Sequence, residues 1–321
     1  MLDSHSCILV PLDGSSLAEC VLPHAVALAR ISKSPIVLLR VVEGETARGV
    51  SKAVDPLSWQ IRKTEAEAYL TEVAARLSDL DSEVEIRTVD GVPAEQIVSH
   101  ANEIGVGLII MSSHGRSGLS EWNINSVVQK VLLRVYVPAL IIRAYQPQDV
   151  GLDALRYKKL LVPLDGSQRA ECVLPLASAV AEGHNATLLA AHVIRRPEVP
   201  RQNLLSSEKR ELVDRLVELN REEATAYLDG LGARLSCAVE TRLLDAESPA
   251  AALHELTRQE SVDLTLLSAH GYSGQAEWPY GSITLNFIAY GVTPLLIMQD
   301  LTAEDARPSM AEKVASETKG H

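Results

Sequence analysis

Short apolar runs and longer amphipathic stretches alternate along this chain. CILVPL (7–12) is continuously apolar, too short for a helix and bounded by turn residues, which predicts a strand buried on both faces. Ser15–Ile31 follows with helical spacing, and Pro23 falls inside it, so a single kinked helix is expected there. PIVLLRVV (35–42) reads as a second strand, and a stretch carrying Gly44, Gly49 and Pro56 separates it from a long amphipathic helix around 57–79. EVEIRTV (83–89) is the third strand, Ala94–Ile104 a helix opened by Pro93, and VGLIIM (106–111) the fourth strand. A polar, glycine-bearing loop at 112–120 precedes a helix at about 121–135, and PALIIR (138–143) closes the series. Strict alternation of buried strands with helices predicts an α/β fold with a doubly wound parallel sheet.

The series is then written a second time. VPLDGSSLAECVLPHAVALA (10–29) answers VPLDGSQRAECVLPLASAVA (162–181), with 15 of 20 positions identical at an offset of 152. EAYLTEVAARL (67–77) answers TAYLDGLGARL (225–235), MSSHGRSGLSEWNINSV (111–127) answers LSAHGYSGQAEWPYGSI (267–283), and VPALII answers TPLLIM. Two tandem five-stranded, Rossmann-like domains are therefore expected, over residues 1–145 and 155–299, packed as a pseudo-two-fold pair. The apolar closing strands, 138–142 and 294–298, would pair antiparallel, since an unpaired apolar edge invites a partner. Residues 143–151 have linker composition, and the acidic, polar segment 300–321 reads as a disordered tail.

Composition narrows the function. A chain of 321 residues fits two domains of the ordinary ~100–200 residues each. A net charge of −12 speaks against nucleic acid or an anionic membrane surface as partner. No apolar run reaches the ~18–20 residues that span a bilayer, and the N-terminus lacks a signal-peptide pattern. Cys7, Cys20, Cys172 and Cys237 have no metal-binding spacing and read as reduced thiols of a cytoplasmic protein. Cys20 and Cys172 are expected as small buried helix residues.

Ligands of doubly wound sheets bind at the carboxyl ends of the strands, where strand order reverses. Two segments per repeat have suitable chemistry there. Leu12-Asp13-Gly14-Ser15 and Leu164-Asp165-Gly166-Ser167 place a carboxylate at the end of the first strand, where it can take hydrogen bonds from a ribose or base, or act only as turn and cap. Ser112-Ser113-His114-Gly115 and Ser268-Ala269-His270-Gly271 open glycine loops that lead to a helix start at Asn125-Ser126 and Gly281-Ser282. Such a loop can cradle phosphate. His114 and His270 have no partner acid fixed by spacing and read as structural.

These residues resemble the universal stress protein family, over about 295 of the 321 residues. The likeness rests on VPLDGS, on LIIMSSHGRSGLSEW, and on Leu39-Arg40-Val41-Val42 with its counterpart Ala191-His192-Val193-Ile194. Nucleotide-binding members carry G-x2-G-x9-G-S/T after the fourth strand. This chain keeps the spacing, but Ser112 and Ser268 replace the first glycine, and Asn125 replaces the third in the first repeat alone. The resemblance implies Asp13 and Asp165 beside adenosine, with Val41 and Val193 contacting adenine through their backbones. Ser112, Gly115, Asn125, Ser126, Ser268, Gly271, Gly281 and Ser282 would lie around ribose and phosphates. Asn125 is expected to keep the turn through its tolerance of left-handed backbone, while its side chain takes space that Gly281 leaves free. Arg116 is a candidate phosphate partner with Tyr272 in its place in the second repeat; Glu121 and Glu277 are expected as solvent-facing helix-start carboxylates, and Trp122 and Trp278 as core caps.

The leading expectation is a cytoplasmic stress-response protein that binds ATP, ADP or AMP, with Mg²⁺ accompanying the nucleotide, as a regulatory ligand. Its second domain would be the stronger site. It would not be an enzyme beyond slow ATP hydrolysis, because no catalytic base or carboxylate cage for Mg²⁺ is legible. The alternative is a scaffold or interaction protein of the same fold without a nucleotide. An adenylating enzyme is disfavoured, because no SGGxDS-type or GxxxxGK[ST] loop occurs. A protein partner and a homodimer of whole chains complete the expectations.

Overall fold

The computed structural model describes residues 6–43, 56–77, 83–115, 124–144, 151–195, 207–272 and 279–300. In the first repeat the elements run β1 (Cys7–Pro11), α1 (Ser16–Glu19), α2 (Leu22–Ser32), β2 (Ile36–Val42), α3 (Pro56–Leu77), β3 (Val84–Asp90), α4 (Pro93–Glu103), β4 (Val106–Ser112), α5 (Ser126–Leu132) and β5 (Ala139–Ile142). The second repeats them as β6 (Lys159–Pro163), α6 (Gln168–Glu171), α7 (Leu174–His184), β7 (Thr187–Arg195), α8 (Ser207–Arg234), β8 (Val239–Ala246), α9 (Pro249–Gln259), β9 (Leu264–Ser268), α10 (Ser282–Tyr290) and β10 (Leu295–Met298).

The chain divides into two compact units. One runs to Arg156 and takes up the chain again at Pro294; the other spans Tyr157–Thr293. In the first unit the strand order is β3-β2-β1-β4-β5, all parallel. The expected antiparallel pairing of the closing strands is present: β10 joins this unit against β5, with Leu295 opposite Ile141 and Ile297 opposite Ala139. Ala139–Ile142 are all buried, so the apolar edge that needed cover has it. The second unit orders its strands β9-β6-β7-β8, again parallel.

The core is aliphatic. Ile8, Leu9, Leu38, Leu39, Leu108 and Ile109 in the first unit are fully buried, as are Leu160, Leu161, Leu188, Leu189, Leu264 and Leu266 in the second. These strands read as continuous apolar runs because helices cover both faces.

The single kinked helix expected over Ser15–Ile31 is two helices. Ser15 caps α1, its Oγ accepting the Ala18 N–H at 3.2 Å, and that helix stops at Glu19. Pro23 then lies in the first turn of α2, where a missing N–H costs nothing, so the proline starts a helix instead of bending one. Ser167 and Pro175 do the same in the second repeat. α2 closes on Lys33 at φ 55° and α7 on Asn185 at φ 54°, both left-handed caps. The helix expected at about 121–135 runs Ser126–Leu132 and begins where Asn125 caps it; residues 121–123 lie outside the described ones. The expected tail likewise lies outside them beyond Asp300, as does most of the linker.

No disulfide joins the four cysteines. Cys20 and Cys172 are half-buried where burial was expected, and each thiol reaches inward to a buried serine hydroxyl, Ser112 Oγ at 3.6 Å and Ser268 Oγ at 3.5 Å. No described helix is long and apolar enough to cross a membrane.

One buried group sets a pH dependence. His24 on α2 is 3 % exposed, and burial alone pushes its pKa down to about 3; Leu176 takes its place in the second repeat. A histidine neutral in the fold and titrating near 6.5 when unfolded adds full stability above pH 6.5 and loses it progressively as pH falls toward 3. His24→Leu should therefore flatten the acid limb. Urea denaturation at pH 6.5 and pH 5 should show the parent losing about 1.6 kcal/mol more than the variant.

Candidate functional site

The order β2-β1-β4 places the reversal of strand order between β1 and β4, and the ends of these three strands surround one cavity of about 580 Å³. Its floor is the turn after β1. Gly14 adopts φ 76° and Gly166 φ 82°, a left-handed turn that a side chain would strain. Asp13 Oδ1 accepts both the Ser15 N–H at 2.9 Å and the Ser15 hydroxyl at 2.5 Å; Asp165 repeats both bonds with Ser167, at 3.0 and 2.6 Å.

The second carboxylate oxygen crosses to the loop after the fourth strand. Asp165 Oδ2 accepts the Tyr272 N–H at 2.6 Å. A Cβ added at Gly271 would overlap that oxygen, and one at Gly115 would overlap Asp13 Oδ2. A side chain here would have to displace the carboxylate, in both repeats. Burial pushes the Asp165 pKa up, but the hydrogen bonds from Ser167 and from the Tyr272 N–H outweigh it and hold the group below the usual carboxylate range.

The loop returns to where it left. The Asn125 N–H donates to the Ser113 carbonyl at 2.7 Å, and the Gly281 N–H to the Ala269 carbonyl at 2.8 Å. His114 is buried with Nδ1 2.9 Å from Ser113 Oγ, which in turn accepts the Ala144 N–H at 3.2 Å. The histidine anchors the loop to the end of β5, in keeping with a structural role; His270 is equally buried. Ser112 and Ser268 sit at the strand ends, and Ser112 Oγ bonds the carbonyls of Leu17 and His114 at 3.0 and 2.7 Å.

The helix starts differ between repeats. Asn125 has φ −56°, so the left-handed turn expected of it is absent; its side chain instead folds back, Oδ1 accepting the Val127 N–H at 2.8 Å. One first-turn donor of α5 is consumed by the protein itself. Gly281, at φ −71° and ψ 166°, provides no side-chain cap, so among the described residues no cap side chain takes up a first-turn donor of α10. Ser126 and Ser282 are exposed beside these starts. Arg116, Glu121, Trp122, Glu277 and Trp278 lie outside the described residues, and Tyr272 is 84 % exposed.

The wall on the β2 side carries a backbone pair. The Leu12 N–H donates to the Leu39 carbonyl at 2.8 Å, and the Leu164 N–H to that of Ala191 at 2.8 Å. Main-chain groups alternate in direction along a strand, so Val41 and Val193, two residues on, turn an N–H and a C=O to the same side, past the end of β1 or β6. One donor and one acceptor side by side match the edge of a heterocyclic base.

Some lining residues escaped the sequence reading. Arg40 donates to the Leu12 carbonyl at 3.2 Å and lies over the Tyr69 ring at 5.8 Å; Tyr69 donates to Glu19 at 3.1 Å, and Arg76 pairs with the same carboxylate at 2.7 Å. The second repeat has His192 edge-on to Tyr227 at 6.5 Å and Arg234 paired with Glu171 at 2.6 Å. Burial lowers the His192 pKa, so this wall is neutral at pH 7 where Arg40 is cationic. The duplicated Tyr, Glu and Arg were visible in the repeat; nothing in the pattern singled out Arg62, which also lines the cavity. Among the described residues no three His, Cys, Asp or Glu side chains converge to hold a metal ion.

Known proteins share this architecture. Universal stress protein MJ0577 of Methanocaldococcus jannaschii is 28 % identical over 151 residues, covering 42 % of this chain and 93 % of its own. Universal stress protein Mb2028c of Mycobacterium bovis is 21 % identical over 296 residues, covering 90 % of this chain and 96 % of its own. The crystal structure of a universal stress protein from Archaeoglobus fulgidus superposes with a TM-score of 0.66 at 19 % identity, covering 92 % of this chain and 99 % of that one. The sequence profile of the Universal stress protein family matches twice, over residues 6–143 and 156–299, and with both repeats accounted for the chain belongs to that family.

Proposed function

We propose that this protein binds ATP or a related adenine nucleotide as a regulatory ligand in a cytoplasmic stress response, and that its second unit is the stronger site. The observation that carries this reading is the cavity at the strand-order reversal, with the Val41 donor–acceptor pair on one wall and a helix start on the other. The residues fit a nucleotide. The backbone of Val41 or Val193 would take the base edge, the turn at Asp13 or Asp165 would lie under the ribose, and the loop and helix start would meet the phosphates. A bound nucleotide supplies polyphosphate charge and brings its own Mg²⁺, and the chain's contribution is to hold and orient it. Turnover is slow or absent in this reading, since His114 is held by Ser113.

The ranking of the two sites follows from their helix starts. α10 opens on Gly281, whereas Asn125 occupies a donor of α5. Each charge-assisted backbone bond lost to phosphate costs about 1.5–3 kcal/mol, roughly ten- to a hundredfold in affinity. Calorimetric titration of ATP should therefore find Gly281→Asp losing the tighter site and Asn125→Asp losing only the weaker. The reverse pattern would reassign the sites. Absence of heat with ATP, ADP and AMP, together with no nucleotide released on denaturing fresh protein, would favour the scaffold reading.

A second test addresses the carboxylate clasp. Gly271→Ala forces a methyl against Asp165 Oδ2 and should lower both stability and second-site affinity. Adding Asp165→Ser should recover part of the stability, because the shorter side chain removes the overlap. A double variant no more stable than Gly271→Ala alone would show that the clash lies elsewhere.

A further inference from the structure

Arg62, on α3, lines the first cavity. Its Nη1 donates to the Glu43 carbonyl at 3.2 Å and its Nε to the Ser58 carbonyl at 3.3 Å. Its Nη2 is buried and has no hydrogen-bond partner among the described residues. A guanidinium nitrogen taken out of water without an acceptor is a cost that folding alone does not explain. The cavity that Arg62 lines is large enough to hold an acceptor on a ligand, and a turn of the side chain on binding brings Nη2, covered in the empty site, to it.

The position of that acceptor follows from β2. Val41 presents its N–H first and its C=O second along the strand toward Glu43, and Arg62 is fastened to the Glu43 carbonyl. An adenine whose N1 accepts from the Val41 N–H and whose N6 donates to the Val41 C=O has its N7 edge on the Glu43 side of N6. N7 is an acceptor with no hydrogen of its own. We infer that Arg62 Nη2 donates to N7 of a bound purine, so that the first unit carries a base-reading contact of its own.

The second unit lacks it. The repeat offset that aligns Tyr69 with Tyr227 aligns Arg62 with Asn220, which is exposed on α8, and Glu43 stands where the other repeat has Arg195. The two sites therefore divide the nucleotide between them in emphasis: the second is open toward phosphate at Gly281, and the first reads the base through Arg62. The first site should accordingly prefer purine over pyrimidine nucleotides by a larger factor than the second.

This inference rests on the nucleotide reading, and its test separates the two. Full-length chain carrying Gly281→Asp, which disables the second site, is titrated calorimetrically with ATP and with 7-deaza-ATP, in which a C–H replaces N7. The same titrations are repeated with Arg62→Asn added, which installs the second repeat's residue at a half-buried position. ATP should bind the Arg62 chain about tenfold or more tightly than 7-deaza-ATP, and Arg62→Asn should weaken ATP by a similar factor. The two losses should not add, because each removes the same bond. Equal affinity for the two ligands in the Arg62 chain, or losses that add in full, would overturn the role of Arg62 while leaving nucleotide binding intact. No ATP binding by the unaltered chain would overturn the nucleotide reading itself, and the inference with it.

Discussion

The contact on which each site depends is a carboxylate set against a glycine. Asp13 and Asp165 tie down the left-handed turn after the first strand with one oxygen, and press the other against Gly115 or Gly271 in the loop after the fourth. β1 and β4 are neighbours whose connections leave in opposite directions, so nothing in the sheet ladder itself holds their loops together. The aspartate does. A longer acid would push the loop away, and any side chain at the glycine would collide with the acid. The clasp fixes the distance between cavity floor and loop, and with it the space a ligand can enter.

The loop is fixed at its start by the clasp and at its end by the bonds from Asn125 or Gly281, and the residues between, 116–123 and 273–278, lie outside the described ones. Chain between two fixed points can change sequence without moving the helix that follows. The bonds at both ends are made by backbone N–H groups, so the spacing is kept in both repeats although Arg116 stands against Tyr272 and Asn125 against Gly281. The same logic holds on the opposite wall. The Tyr, Glu and Arg that brace α3 and α8 are duplicated, whereas the groups facing the cavity, Arg40 and Arg62 against His192 and Asn220, have diverged. The frame is shared and the lining is not.

Much of this was legible in the sequence, for physical reasons that differ by element. The strands were readable because parallel strands buried on both faces leave continuous apolar runs, and Ile8–Val10 or Leu160–Val162 have no polar residue to confuse the period. The antiparallel closing pair was readable from an apolar edge needing cover. The split of the first helix was not, because Pro23 satisfies helical spacing whether it bends one helix or begins another; only the Ser15 cap and the stop at Glu19 decide it. Asn125 was misjudged in conformation because its residue type suits both a left-handed turn and a helix cap, and the Oδ1 bond to Val127 shows it serving as the cap.

The cavity lining marks where sequence reasoning ends. A motif reports groups that the frame needs, such as the glycine against Asp13, where any side chain would displace the carboxylate and the close approach leaves a fixed spacing. A side chain that serves a ligand faces no such local constraint. Arg62 sits on an amphipathic helix among many charged neighbours, and only the fold brings it to the Glu43 carbonyl with a nitrogen left over. Duplication sharpens this distinction. Residues retained in both copies mark what holds the domain together, and cavity residues altered between copies mark where the two domains can differ in what they hold. In a tandem protein the informative positions for specificity are therefore the mismatches that line a conserved frame, and here they fall at the end of β2 and the facing turn of α3 on one wall and at Asn125 on the other.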